Sequence, residues 1–306
     1  MTCSKLVNKA EKEITMFKKF EIVKDFSDHH YAKPKKSPSG VEKFRISFAG
    51  KGLRAEFSRL DKQLSEMIYV RAYEGRPGLL RAMIVGAADT SYHDNIFLFD
   101  ISFSEEYPVV APKIHYHSFG HSINPIFCKT GKVYLEYLGA WSLASRLLFI
   151  QAVVLTEKPY FNKPVHGQWA GIEYWEKKAY AYNEKVFLKS CKTMLCLLAK
   201  PPMHFQELIA LHFHNRGATI LHACRAYMDG GLIEYGSSAL FAFVPSKNFK
   251  SSMKILYPKL LAAFVTNASS LRGRIEYETS LHKLEEMNEE EKEKSTKNVF
   301  YKLLCK

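Results

Sequence analysis

The chain has 306 residues, of which 47% are hydrophobic, 25% charged and 13% aromatic, a balance that excludes intrinsic disorder, collagen-like repeats and a disulfide miniprotein. Its formal charge of +13 comes from 44 Lys/Arg against 31 Asp/Glu, and residues 1–60 hold 14 of the basic and 7 of the acidic side chains. So basic a front end suits nucleic acid, an anionic membrane surface, an acidic protein or plain solvation.

In chain order, the first break is KPKKSPSG at residues 33–40, where prolines block helix and serines and glycine favour turns, so it reads as a linker. Leu53, Phe57, Leu60 and Leu64 then recur at helical spacing and predict one apolar stripe, with charged Arg54, Glu56, Arg59, Asp61 and Lys62 on the other faces. Three short β-branched or aromatic runs follow at 67–73, 79–86 and 96–103. With residues 113–117, they predict a four-stranded antiparallel meander. A mainly apolar helix is expected over 146–157, stopped before Pro159 and Pro164.

The C-terminal half reads as helical. Val186, Phe187, Cys191, Met194, Leu195 and Leu198 share a face in 180–199, Pro201 and Pro202 break it, and a second amphipathic run covers 204–228. Residues 245–265 are a further helical candidate. Residues 283–297, with 6 Glu against 4 Lys and almost no apolar face, read as an exposed helix or a charged tail. The fold class is therefore α+β, a meander covered by helices.

The six cysteines include no C-x-x-C pair, so no zinc framework, disulfide scaffold or cofactor is expected. No run approaches the ~20 apolar residues of a membrane span, and the N-terminus lacks a signal-peptide core. A reducing compartment, cytoplasmic and also nuclear, is the expectation.

The stretch from Gly86 to Leu135 resembles the core of ubiquitin-conjugating enzymes. It has a glycine-led turn ending in Thr90-Ser91-Tyr92, a strand, the loop Tyr107-Pro108-Val109-Val110-Ala111-Pro112, another strand, then Asn124-Pro125-Ile126 and Gly131-Lys132-Val133-Tyr134-Leu135. The segments FKKFEIVKDFSDHHY, KPYFNKP, NEKVFLKSCKTMLCLLAKPP and FVPSKNFKSSMKILYPKLL look like the large plant members with a C-terminal extension, so the resemblance covers residues 17–265. It implies residues 1–43 as a basic leader and linker, 44–175 as a ubiquitin-conjugating-like core, 176–270 as a helical extension and 271–306 as a charged tail.

Residue by residue, the resemblance breaks where the chemistry should be. Ile126 holds the place of the Asn that steadies the oxyanion when an amine attacks the thioester, and Asn124 leads the triplet where the family has His. Eight residues on, Tyr134 holds the place of the nucleophilic cysteine. A phenol has a pKa near ~10 and forms no thioester. After Trp141 the family's Trp-containing loop is shortened. Cys128, beside Lys129, is the nearest substitute thiol. His29-His30, His115 and His117 lack the Cys or acidic companions of a metal site, and His121, three residues before Asn124 in the same loop, reads as a surface or hydrogen-bonded histidine rather than a catalytic one.

The resemblance implies a partner face made of Lys51, Arg54, Arg59 and Lys62 with Tyr107, Pro108, Pro112 and Trp141, and it implies ubiquitin, ubiquitin-activating enzyme and ubiquitin ligases as partners. The expected function is a catalytically degenerate member that binds non-covalently within the ubiquitin pathway. Two alternatives stay open. One is an active transferase working through Cys128, or a wrongly joined gene product whose true form keeps the cysteine. The other is a basic nucleic-acid-binding protein, which ranks lower because no DNA- or RNA-binding motif is present and neither partner is expected.

Overall fold

The computed structural model describes residues 17–32, 48–134, 142–230 and 244–271. The KPKKSPSG linker, Trp141 and the charged tail beyond residue 271 lie outside the described residues, as does the side chain of Lys51.

The expected meander is present. β2 (Ile68–Tyr73), β3 (Leu79–Val85), β4 (Ile96–Ser102) and β5 (Lys113–Tyr116) pair antiparallel in sequence order. A further strand, β1 (Phe20–Val23), lies within the basic leader and pairs parallel to β2, making a five-stranded sheet. The sheet is therefore mixed rather than purely antiparallel. At four residues, FEIV is too short to show a period, and only its pairing with an established edge makes it a strand.

β2, β3 and nearly all of β4 are buried along their whole length, because helices cover both faces of the sheet. Side chains alternate between faces. One set, Val70, Ala82, Ile84, Phe97 and Phe99, packs on α1 (Phe48–Gln63) through Leu53 and Leu60, with Leu64 just past its end, and on α2 (Leu143–Phe149) through Leu143, Ala144 and Leu147. The other set, Tyr69, Met83, Val85, Ile96 and Leu98, packs on α3 (Glu173–Ala199), α4 (Gln206–Asp229) and α5 (residues 247–271). Phe187, Met194, Phe213, Met253 and Leu260 carry that second contact. The helical extension thus covers the sheet's outer face and shares its buried cluster.

Helix ends follow local chemistry. Ser142 caps α2 by accepting from the Ser145 N–H at 3.2 Å, and the helix widens into a π turn over Ile150–Val154 before Leu155, short of the expected residue 157. α3 begins at Glu173, seven residues before the apolar periodicity becomes visible, because the only positions its first turns bury, Glu176 and Ala179, carry no large apolar side chain. α4 stops at Gly230, whose φ of 93° is the left-handed cap that glycine adopts without steric cost.

The outer face also carries a polar row at one end. Arg71, Arg81, Asp100 and His115 stand in register across β2 to β5. Arg81 and Asp100 are fully buried, and the guanidinium donates to both carboxylate oxygens at 2.6 and 3.0 Å. Burial alone would raise the Asp100 carboxyl, but His117 and Arg81 outweigh it and hold the group far below the usual carboxylate range.

Candidate functional site

The segment after β5 is fastened into the core by Phe127. Its fully buried ring lies 5.1 Å from Tyr116 and 5.5 Å from Phe99. From that anchor the chain turns back on itself. Gly131 N–H donates to Cys128 O at 2.9 Å, Cys128 N–H to Lys132 O at 2.9 Å, and Tyr134 N–H to Ile126 O at 3.1 Å. The turn requires a φ of 88° at Gly131, and a Cβ there would run into the His115 imidazole and sit 2.6 Å from Tyr116 O. The hairpin therefore sets positions 126 and 134, eight residues apart in sequence, directly opposite one another.

Tyr134 is 37% exposed, and the Lys132 ammonium lies 4.6 Å from its ring centroid, a cation–π contact. It stands on the rim of a hollow of about 740 Å³ whose walls are mainly apolar, from Ile126, Phe149, Val153, Phe161 and Val165. Ile126 turns its side chain to this hollow and packs on the core, so position 126 offers no polar group there.

Asn124 is placed differently. It is fully buried, its Nδ2 donates to Val154 O at 2.8 Å and to the Tyr92 hydroxyl at 3.1 Å, and its Oδ1 accepts from the Ile126 N–H at 3.1 Å. The Tyr92 hydroxyl in turn donates to Ile123 O at 2.8 Å. Both amide hydrogens are thus spent, one on the π turn that follows α2 and one on the connection between β3 and β4. Cys128 is half-buried within the tight turn, whereas Cys191 and Cys224 are fully buried between α3 and α4. His121 is half-buried, its pKa lowered by burial and by the neighbouring Lys192 and Lys189 ammoniums. Lys189 itself reaches across to donate to Ser122 O at 2.7 Å. Among the described residues no cluster of His, Cys, Asp or Glu has the arrangement of a metal site.

A second hollow, of about 450 Å³, lies between α1, the Tyr107–Pro112 segment and the start of α2. Exposed Arg59 and Pro108 and half-buried Pro112 line it, whereas Arg54 and Lys62 are exposed on α1 outside its lining. Tyr107 is buried instead, its ring lying over Gly52 and its hydroxyl donating to Glu56 Oε1 at 2.7 Å. Burial, and then the Glu56 carboxylate, raise the Tyr107 phenol well above its ordinary pKa.

Glu56 corrects the sequence reading, which set it among the exposed charges. It is 1% exposed, and besides Tyr107 it accepts from Arg59 Nη1 at 2.8 Å on Oε1 and from the Leu143 N–H at 2.8 Å on Oε2. One carboxylate thus joins the three segments that frame the hollow, with the Leu143 bond falling at the positive end of α2. The signal was available: position 56 is three residues after Leu53 and four before Leu60, on the apolar stripe itself.

The family model described as "Ubiquitin-conjugating enzyme" matches residues 52–189, from α1 into α3. The Arabidopsis thaliana protein "Putative ubiquitin-conjugating enzyme E2 38" is 42% identical over 241 residues, covering 74% of this chain and 73% of its own. "Probable ubiquitin-conjugating enzyme E2 24" from the same plant is 40% identical over 265 residues, 81% of this chain and 29% of its own. "Probable ubiquitin-conjugating enzyme E2 26", also from Arabidopsis thaliana, is 44% identical over 227 residues, 70% of this chain and 41% of its own. The chain spans less than half the length of the last two relatives. A meander with helices on both faces, the matched core and a relative aligned over nearly three quarters of both chains lead to one conclusion: this chain belongs to the ubiquitin-conjugating enzyme family.

Proposed function

We propose that this protein works within the ubiquitin pathway by binding partners without carrying ubiquitin itself. The observation that supports this reading is the backbone pair between Tyr134 and Ile126. The hairpin that sets the family's two chemical positions side by side is intact, while a phenol and an alkyl group replace the thiol and the amide. A phenol is largely un-ionised at neutral pH, and an aryl ester would not enter a relay of thioesters. Isoleucine has no donor for an oxyanion. Asn124 does not compensate, because both of its amide hydrogens are already bonded inside the core.

On this reading the binding surface is the hollow framed by α1, the Pro108–Pro112 segment and the start of α2. Its partners are ubiquitin-activating enzyme and ubiquitin ligases, the classes that the family serves. Arg59 at the hollow, with Arg54 and Lys62 exposed elsewhere on α1, supplies positive charge that favours encounter with an acidic partner surface. The test is a charging reaction with ubiquitin-activating enzyme, ubiquitin and ATP, resolved without reducing agent. The natural protein is expected to form no thiol-sensitive adduct. An adduct that disappears in Cys128→Ser would instead establish the active-transferase reading.

A further inference from the structure

The polar row on the outer face of the sheet meets a matching series on the N-terminal segment. Glu21 lies 3.3 Å from Arg71 Nε, Asp28 Oδ1 accepts from Arg81 Nη1 at 2.8 Å, and the His30 N–H donates to Asp100 Oδ2 at 2.7 Å. The His30 ring stacks on His115 with centroids 3.4 Å apart and planes within 6°. His29 Nε2 bonds Leu80 O at 2.9 Å beneath them. The same segment reaches the α3–α4 connection, where the Met203 N–H donates to Asp28 Oδ2 at 2.9 Å and His204 Nε2 meets Asp25 O at 2.6 Å. Residues 24–32 are therefore a strap laid over buried charges, held by imidazoles at its centre. We propose that this strap is an acid-released latch, and that its release loosens the hairpin bearing Tyr134.

The coupling to the hairpin is steric. His115, the lower ring of the stack, forms a backbone bridge with Lys132 and fills the space against Gly131 that a Cβ would need. Moving the stack removes one wall of the turn.

The charges around the stack set the direction of the response. From the strap, Asp28, His29 and Tyr31 face it. Arg81 comes from β3, Asp100 from β4, and His117, with Nε2 3.0 Å from Asp100, from the residue just after β5. The buried Asp100 and the exposed Asp28 oppose one guanidinium, which leaves the cluster with one net negative charge. A proton on each stacked ring would place two cations face to face.

Burial first, and then the neighbouring His30 and His117 imidazoles, lower His115 to about 4. Burial likewise lowers His30 and His29, with Asp100 opposing it in both. These pKa values are depressed on docking, so the docked state binds fewer protons than the free strap. Its stability is complete above the ordinary value near ~6.5 and is lost as pH falls from there toward 4. For His115 alone this linkage weakens docking by roughly ten- to thirtyfold at about pH 5, allowing for the screening of a half-buried ring.

The test is amide hydrogen exchange on the full chain, expressed as protection factors so that the intrinsic pH dependence cancels, at pH 7.5 and pH 5.0. Protection over residues 26–32 and 127–134 is expected to fall together by about tenfold or more, while the β3–β4 amides keep theirs. In His115→Phe, which keeps a ring against His30 but removes the imidazole that carries the ten- to thirtyfold effect, the fall should shrink to under about threefold. His115→Gln is the second variant if the first misfolds by circular dichroism. Unchanged strap protection, an equal fall in β3–β4, an equal fall in a folded variant, or loss at the strap without loss at the hairpin would each overturn the proposal.

Discussion

Replacing Glu56 by Ala tests the framework of the hollow between α1, the Tyr107–Pro112 segment and α2. The carboxylate is 1% exposed and accepts three hydrogen bonds, two of them buried, from the Tyr107 hydroxyl and the Leu143 N–H. Each orphaned buried donor costs about 1–3 kcal/mol. Arg59, with a half-exposed side chain, returns to solvent and adds under about 1 kcal/mol. The expected loss is about 3–5 kcal/mol, a large share of the ~5–15 kcal/mol by which domains are stable. Urea unfolding should show a lower midpoint at unchanged slope. Tyr107→Phe alone should cost about 1–3 kcal/mol, and the Glu56→Ala/Tyr107→Phe double variant should be barely less stable than Glu56→Ala, because both remove the same bond. A loss below about 1 kcal/mol for Glu56→Ala, or strict additivity, would show that the carboxylate does not join these segments and would refute the reasoning.

Two more outcomes follow from the hairpin. Asn124→Ala deletes the bonds to Val154 O, Tyr92 and the Ile126 N–H, and should cost about 2–4 kcal/mol in the same unfolding assay, with enhanced exchange at residues 123–127. Gly131→Ala combines a φ of 88° with a Cβ pressed against His115 and Tyr116 O. It should cost at least ~2 kcal/mol and weaken protection of the strap as well as the hairpin, which a purely local strain would not do.

Much of the architecture was legible because it is periodic. The stripe Leu53, Phe57 and Leu60 is the inner face of α1, with Leu64 just past its end, and the runs at 67–73, 79–86, 96–103 and 113–117 are β2 to β5 within one residue at each end. Val186, Phe187, Cys191 and Met194 are buried as the helical spacing predicts. What escaped notice depends on register between distant segments. Arg71, Arg81, Asp100 and His115 form a row only once four strands are aligned, and nothing near His29-His30 reveals that a strap will lie across that row. A short basic leader reads as solvated because its stabilising partners are buried charges elsewhere in the chain. Glu56 was misplaced for a related reason: a lone carboxylate on an apolar stripe looks like a boundary residue until its three donors are known.

The site was legible by position and not by contact. Counting eight residues from Ile126 to Tyr134 names the pair, and the hairpin sets the two opposite one another. The spent amide of Asn124 and the apolar hollow beside Tyr134 depend on Tyr92, Val154 and Phe161, which no local motif links to the loop. Among the described residues no helix is long and apolar enough to cross a membrane.

The measurement that bears most directly on the proposed function is the charging reaction run on two proteins side by side, the natural chain and the Tyr134→Cys/Ile126→Asn double variant. If binding surfaces persist while the chemistry has been lost, only the double variant will acquire a thiol-sensitive ubiquitin adduct. The restored thiol and amide then stand across the same backbone pair that Tyr134 and Ile126 make now. A thiol-sensitive adduct on the natural chain would contradict the account. So would failure of both proteins to charge, because the activating-enzyme surface would then be absent along with the nucleophile.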